Sequence, residues 1–178
     1  MIEVAKYSAA EFLRDGSPIE IRALKPEDRN ALVSAIDRSS SESFYRRFFG
    51  VRHRFTENEI TFFMNVDFVN HVALVAVLEE KGCPTIVGGG RYVVMQPGKA
   101  EVAFAVVDQY QSQGIGTALM RHLVTIAREA GLIELVADVL PGNVTMLKLF
   151  EKSGLHLSTM REPGVVHVVM ELSEFSGD

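Results

Sequence analysis

Two periods of apolar residues alternate along this chain, and each switch between them marks a new element. Ile19, Ile21 and Ala23 alternate with Glu20 and Arg22, as the positions of a half-buried strand do. Asp15-Gly16 just before them predicts a hairpin turn, because glycine takes positive φ without a Cβ clash. Residues 1–17 are therefore read as an N-terminal extension that supplies a hairpin strand. Pro26-Glu27-Asp28 opens a helix whose apolar face is Ala31, Leu32, Ala35 and Ile36. Ser39-Ser40-Ser41 ends it, and a second helix carries Phe44, Tyr45, Phe48 and Phe49 up to Gly50. Thr56 and Glu59 form a capping box for a third, short helix holding Ile60, Phe63 and Met64.

The middle of the chain reads as strands. Val72–Leu78, Thr85–Met95 and Ala100–Val107 are rich in Val and Ala. Lys81-Gly82-Cys83-Pro84 and Gln96-Pro97-Gly98-Lys99 separate them, and turns that short make antiparallel neighbours. Gly88-Gly89-Gly90 inside the second run predicts a bulge or a close backbone approach. After Val107 the helical period takes over: Ile115, Leu119, Leu123, Ile126, Ala127 and Ala130, ending at Gly131. A strand over Leu132–Val139, a helix over Val144–Lys152 and a last strand over Val165–Leu172 complete an α/β chain with a mixed sheet.

Composition narrows the class. A length of 178 residues with 47% hydrophobic positions fits one domain over 1–178 with a sizeable core. The net charge of −5 speaks against binding nucleic acid by phosphate neutralisation. The lone Cys83 excludes an internal disulfide and a cysteine-based metal site, and points to a reducing compartment. Histidines 53, 71, 122, 156 and 167 include no close ligand pair, so no metal is expected. Met1–Lys6 lacks a secretory pattern and no apolar run approaches the ~20 residues that span a bilayer, which reads as cytoplasmic, with no membrane.

The candidate chemistry lies between Glu101 and Thr117. A buried strand runs into a loop carrying Gln111, Gly114 and Gly116, where a helix opens. First-turn N–H groups lack internal partners and carry the positive end of the dipole, and glycines let a pyrophosphate approach them. Gly-Lys-Ser/Thr is missing, as is the third glycine of a dinucleotide fingerprint. Glycines serving only tight turning would read the same way from these residues alone.

Gln111-Ser112-Gln113-Gly114-Ile115-Gly116 resembles the acyl-CoA pyrophosphate loop, Gln/Arg-x-x-Gly-x-Gly/Ala, of the GNAT superfamily of N-acetyltransferases. Asn143 and Leu149-Phe150-Glu151-Lys152-Ser153-Gly154-Leu155 are similar to that family's later motif, and the element order agrees from about Ile19 to Leu172. Leu13-Arg14-Asp15-Gly16, Ile21-Arg22, Pro26-Glu27-Asp28 and the segment Ser43–Gly50 look like the GNAT domain of bacterial Pat-type protein-lysine acetyltransferases. Those often carry a further regulatory or synthetase-like domain, which this sequence does not show.

The resemblance implies a GNAT fold: a mixed, mostly antiparallel central sheet flanked by helices and splayed at the acyl-CoA site. It implies acetyl-CoA as co-substrate, bound by Gln111, Ser112, Gln113, Gly114, Ile115, Gly116 and Thr117. Strand amides at Ala105, Val106 and Val107 would hold the pantetheine arm, and one would polarise the thioester carbonyl. Asn143 is read either as a contact to that arm or simply as a helix N-cap.

Acetyl transfer needs a neutral amine. A lysine of pKa ~10.4 is mostly protonated at neutral pH, a handicap of about 4.6 kcal/mol at pH 7. Glu101, at the start of the strand entering the loop, aligns with the catalytic glutamate of many relatives and is the candidate general base. Phe150 stands where many relatives have a proton-donating tyrosine; water, Tyr110 or Ser153 would then supply the acid. His122 is read as a surface residue, and Arg46, Arg47, Arg52 and Arg54 as a solvated basic cluster or a contact to CoA or substrate. The acceptor is an amine, a protein lysine on the Pat-type likeness. A small-molecule amine (polyamine, amino acid or aminoglycoside-like compound) and a non-catalytic acyl-CoA sensor are the rivals. A homodimer is a habit of the family that no residue here specifies.

Overall fold

The Asp15-Gly16 turn folds β1 (Ser8–Phe12) antiparallel onto β2 (Pro18–Ala23), with Phe12 opposite Pro18. The computed structural model describes residues 2–38 and 56–173. The expected helix with Phe44, Tyr45, Phe48 and Phe49, and the arginines at 46, 47, 52 and 54, lie outside the described residues. The other described strands are β3 (His71–Glu80), β4 (Cys83–Gln96), β5 (Lys99–Val106), β6 (Glu134–Val139), β7 (His156–Glu162) and β8 (Val165–Glu171). They form one sheet of order β1-β2-β3-β4-β5-β6-β8-β7. Every pairing is antiparallel except β5 with β6. The described helices are α1 (Arg29–Asp37), α2 (Glu57–Met64), α3 (Ile115–Glu129) and α4 (Val144–Glu151).

Alternation along the strands builds two cores, one on each face. On one face Ile21, Leu74, Val102, Phe104 and Leu135 pack with Leu119 and Leu123 of α3 and Phe150 of α4. On the other, Ala73, Val75, Ile86 and Val107 pack with Leu32, Ala35 and Ile36 of α1 and Phe63 of α2. The Thr56–Glu59 capping box starts α2 as expected. Ala31, expected on the apolar face of α1, is exposed, because that helix needs only Leu32, Ala35 and Ile36 to cover its part of the sheet.

The triple glycine does both things expected of it. Opposite Ala76 and Val77 of β3 the register shifts, leaving Val87 as the extra residue of a bulge. Beyond it the α3 face of β4 is nearly bare: a Cβ on Gly88 would stand 3.0 Å from the Ile115 side chain, and one on Gly90 would stand 2.7 Å from the Phe104 ring. That bareness lets the start of α3 settle against the sheet.

Two turn regions and one strand differ from what the sequence predicts. Cys83 and Pro84 belong to β4, and only Lys81 and Gly82 turn, both at positive φ. Leu132 and Ile133 precede β6. β7 was not expected at all: this edge strand is exposed along nearly its whole length, so its side chains carry no apolar alternation to read.

The parallel pair positions the site. β5 and β6 are joined through α3, as parallel neighbours require. Their pairing covers only Lys99–Glu134, Ala100–Leu135 and Glu101–Val136. β5 then runs on to Val106 and β6 to Val139 with no pairing between them, although β6 stays paired to β8 as far as Val139. The sheet therefore splits on the C-terminal side of Glu101.

Candidate active site

A cleft of ≈ 470 Å³ opens at this split. Phe104, Ala105 and Val106 of β5 form its floor, and residues from Gln111 to Thr117 and from Gly142 to Lys152 form its walls. Val107 N donates to Val87 O of β4 at 2.8 Å. Strand amides alternate in direction, so those of Phe104 and Val106 point into the split. Gln111 Nε2 reaches Val106 O at 3.3 Å and Asp108 Oδ1 at 3.3 Å, tying the loop to the end of the strand.

The loop is shaped for close approach. Gly114 is the N-cap of α3 at φ +97°, a left-handed conformation natural to glycine, and Ser112 is also left-handed at φ 64°. Gly114, having no side chain, gives α3 no side-chain cap. Its first-turn N–H groups, which have no intrahelical acceptors, face the cleft with the positive end of a 15-residue helix behind them. This is a cradle for an anionic group.

Of the residues singled out from sequence, Ala105, Val106, Gln111, Ser112, Gly114, Ile115, Gly116, Thr117 and Asn143 line this one cleft. Val107 does not: it is 1% exposed and its amide is committed to β4. By the same alternation the amide of Ala105 also faces β4, so of the three expected strand amides that of Val106 points into the split. Gln113 stands behind the wall, its carbonyl oxygen accepting Arg14 N at 3.1 Å. Asn143 caps α4, Oδ1 accepting Met146 N at 3.2 Å, while also lining the cleft. Glu101 is half-buried in the last registered pair before the split. By alternation it lies on the sheet face opposite Phe104, with Ala103 and Ala105, so the cleft and the carboxylate approach the split from its two faces.

Phe150 is 1% exposed and packs edge-on against Phe104 with ring centroids 6.2 Å apart. It serves the floor of the cleft by packing. Tyr110 lines the cleft, but its hydroxyl donates to Glu80 Oε2 at 2.6 Å. That bond holds the tyrosine above its ordinary pKa, and the same bond, with Arg38 at 3.1 Å, holds Glu80 below the usual carboxylate range. Ser153 Oγ donates to Phe150 O at 2.6 Å. Both hydroxyl protons are thus already engaged.

The sequence reading missed three cations at this cleft: Arg14, Lys148 and Lys152. The i, i+4 spacing of Lys148 and Lys152 is the sequence signal that places both on one helix face. His122, expected at the surface, is mostly buried: its ring contacts the Tyr7 hydroxyl and Glu11 Oε1, the latter at 2.7 Å, and joins α3 to β1.

The model of the acetyltransferase (GNAT) family matches residues 34–155, more than half of the chain. The chain belongs to this family. Members of the GNAT family transfer an acetyl group from acetyl-CoA, and the amide cradle, the cations and the split strand pair fit that co-substrate. The chain is 34% identical over 122 residues to acetyltransferase PA5475 of Pseudomonas aeruginosa, covering 68% of this chain and 66% of that protein. It is 31% identical over 163 residues to acetyltransferase Pat of Mycolicibacterium smegmatis, covering 86% of this chain and 48% of that one. It thus spans about two thirds of one GNAT relative and about half of the other. The crystal structure of the GNAT domain of S. lividans PAT superposes with a TM-score of 0.81 at 34% identity, covering 92% of this chain and 96% of that one.

Proposed function

We propose that the chain transfers an acetyl group from acetyl-CoA directly to the amine of a protein lysine, with Glu101 as general base. The observation that carries this reading is the split between β5 and β6, flanked by an anion cradle on one side and Glu101 at its apex. The pyrophosphate sits on the amides of Ser112 and of residues 114–117, and the pantetheine arm pairs with the inward-facing groups of Phe104 and Val106. A strand N–H at this point polarises the thioester carbonyl.

The amine enters from the Glu101 face. Its proton passes through water to the carboxylate as nitrogen attacks the carbonyl carbon. The tetrahedral intermediate collapses with cleavage of the C–S bond, and the CoA thiolate leaves and takes a proton from water. A thiol of pKa ~8.5 is a good enough leaving group for this to proceed without an enzyme acid. That agrees with Phe150 in the tyrosine position and with engaged hydroxyls at Tyr110 and Ser153.

The choice of protein lysine is supported by the likeness to Pat over 86% of the chain and to the GNAT domain of S. lividans PAT. It is tested by incubating the protein with labelled acetyl-CoA and a cell lysate, then separating label in protein from label in small molecules. Label in protein lysines, lost with Glu101→Gln, is expected. Label confined to small amines would replace the acceptor while leaving the chemistry in place.

A further inference from the structure

Arg14 is outside the residues that match the family, 34–155, and belongs to a hairpin that precedes them. We propose that Arg14 is a phosphate ligand of acyl-CoA, so that the N-terminal hairpin completes the co-substrate site. This rests on the acyl-CoA reading of the cleft.

The backbone puts the residue in place. Arg14 N donates to Gln113 O at 3.1 Å, and Arg14 Cγ stands 4.0 Å from where a Cβ on Gly114 would be. The side chain thus lines the cleft beside the amide cradle, while Lys148 of α4 and Lys152, the residue that caps its C-terminus, line it from the other wall. The turn itself is held: Leu13 N donates to Ser17 O at 2.8 Å, Gly16 N to Leu13 O at 2.9 Å, and Leu13 is buried. β1 is moored to α3 through Glu11, which pairs with Arg121 and with His122, whose other ring nitrogen meets the Tyr7 hydroxyl.

Charge then gives the residue its task. Arg22, Arg29, Arg38 and Arg121 each face a carboxylate, respectively Asp28, Glu57, Glu80 and Glu11. Among the described residues Arg14 forms no ion pair, and the adjacent Asp15 carboxylate is turned onto Ser17 N at 2.8 Å. An exposed guanidinium without a counter-charge, beside amides that already favour an anion, is a planar two-donor fork for phosphate oxygens. The fork can serve the pyrophosphate or the 3′-phosphate of the same molecule, and the two are separable by ligand.

The test titrates the wild-type protein, Arg14→Ala and Arg14→Lys with CoA, 3′-dephospho-CoA and pantetheine, and records the melting temperature of each ligand-free protein. Arg14→Ala is expected to weaken CoA about tenfold or more with an unchanged melting temperature, and Arg14→Lys by less. A loss that persists with 3′-dephospho-CoA assigns the pyrophosphate, and one confined to CoA assigns the 3′-phosphate. Unchanged CoA affinity in Arg14→Ala, or an equal loss toward pantetheine, which has no phosphate, overturns the proposal. Failure of the wild-type protein to bind CoA at all would overturn the acyl-CoA reading with it.

Discussion

Arg91 donates to Nε2 of His71 at 2.9 Å, inside the core, while His71 Nδ1 donates to Asn65 O at 3.0 Å. The two bonds fix one neutral tautomer, since Nε2 must accept. Arg91 also donates to Phe63 O at 2.9 Å and lies 4.7 Å from the centre of that ring, which ties β4 to α2. Burial, reinforced by the Arg91 charge, pushes His71 down to about 4.

This gives the protein an acid-sensitive core. An unfolded histidine takes a proton near pH 6.5, whereas His71 in the fold resists until about pH 4. The contribution is fully present above pH 6.5 and is lost as pH falls toward 4, at most about 3 kcal/mol. Urea unfolding at pH 7 and pH 4.5 should show the loss. His71→Asn, less stable at pH 7, should show a smaller difference between the two pH values; an undiminished difference would place the acid sensitivity elsewhere.

Gly90 is required by its neighbour across the strands. A Cβ there would stand 2.7 Å from two Phe104 ring carbons and 3.0 Å from Leu123 Cδ1. Phe104 is itself packed edge-on against Phe150. Gly90→Ala should therefore destabilise by about 1–3 kcal/mol and disturb the cleft floor. Gly89→Ala, where the nearest atom is Leu74 O at 3.4 Å, should cost less. Denaturant midpoints of the two variants make the comparison.

The two loop glycines should separate by backbone. Gly114 is left-handed at φ +97°, so Gly114→Ala is strained by about 1–2 kcal/mol and weakens CoA binding as the cradle shifts. A Cβ on Gly116 meets only Leu149, at 3.6 Å, an ordinary contact. Gly116→Ala should melt like the wild-type protein. Thermal melts with and without CoA check both.

Much of this was legible in the sequence, and what was not has physical reasons. Val- and Ala-rich runs between short turns marked β3, β4 and β5, helical spacing marked α3, and cap chemistry marked α2 and α4 at Thr56 and Asn143. The Gln111–Gly116 spacing marks one wall of the cleft. β7 left no trace because an exposed edge strand obeys no burial pattern. Val107 looks equivalent to Val106 in sequence, and its burial and the direction of its amide, toward Val87, tell them apart only in the fold. Arg14 meets Gln113 through a backbone bond between segments far apart in the chain, which composition and local spacing do not encode.

The central claim is tested most directly by measuring turnover and CoA affinity together for the wild-type protein and Glu101→Gln. Removing a positioned general base should lower kcat/KM about 100-fold or more, with CoA affinity within about twofold, because the carboxylate lies on the face of the sheet away from the cradle. Turnover that survives the substitution, or CoA affinity that falls in step with it, would contradict the account.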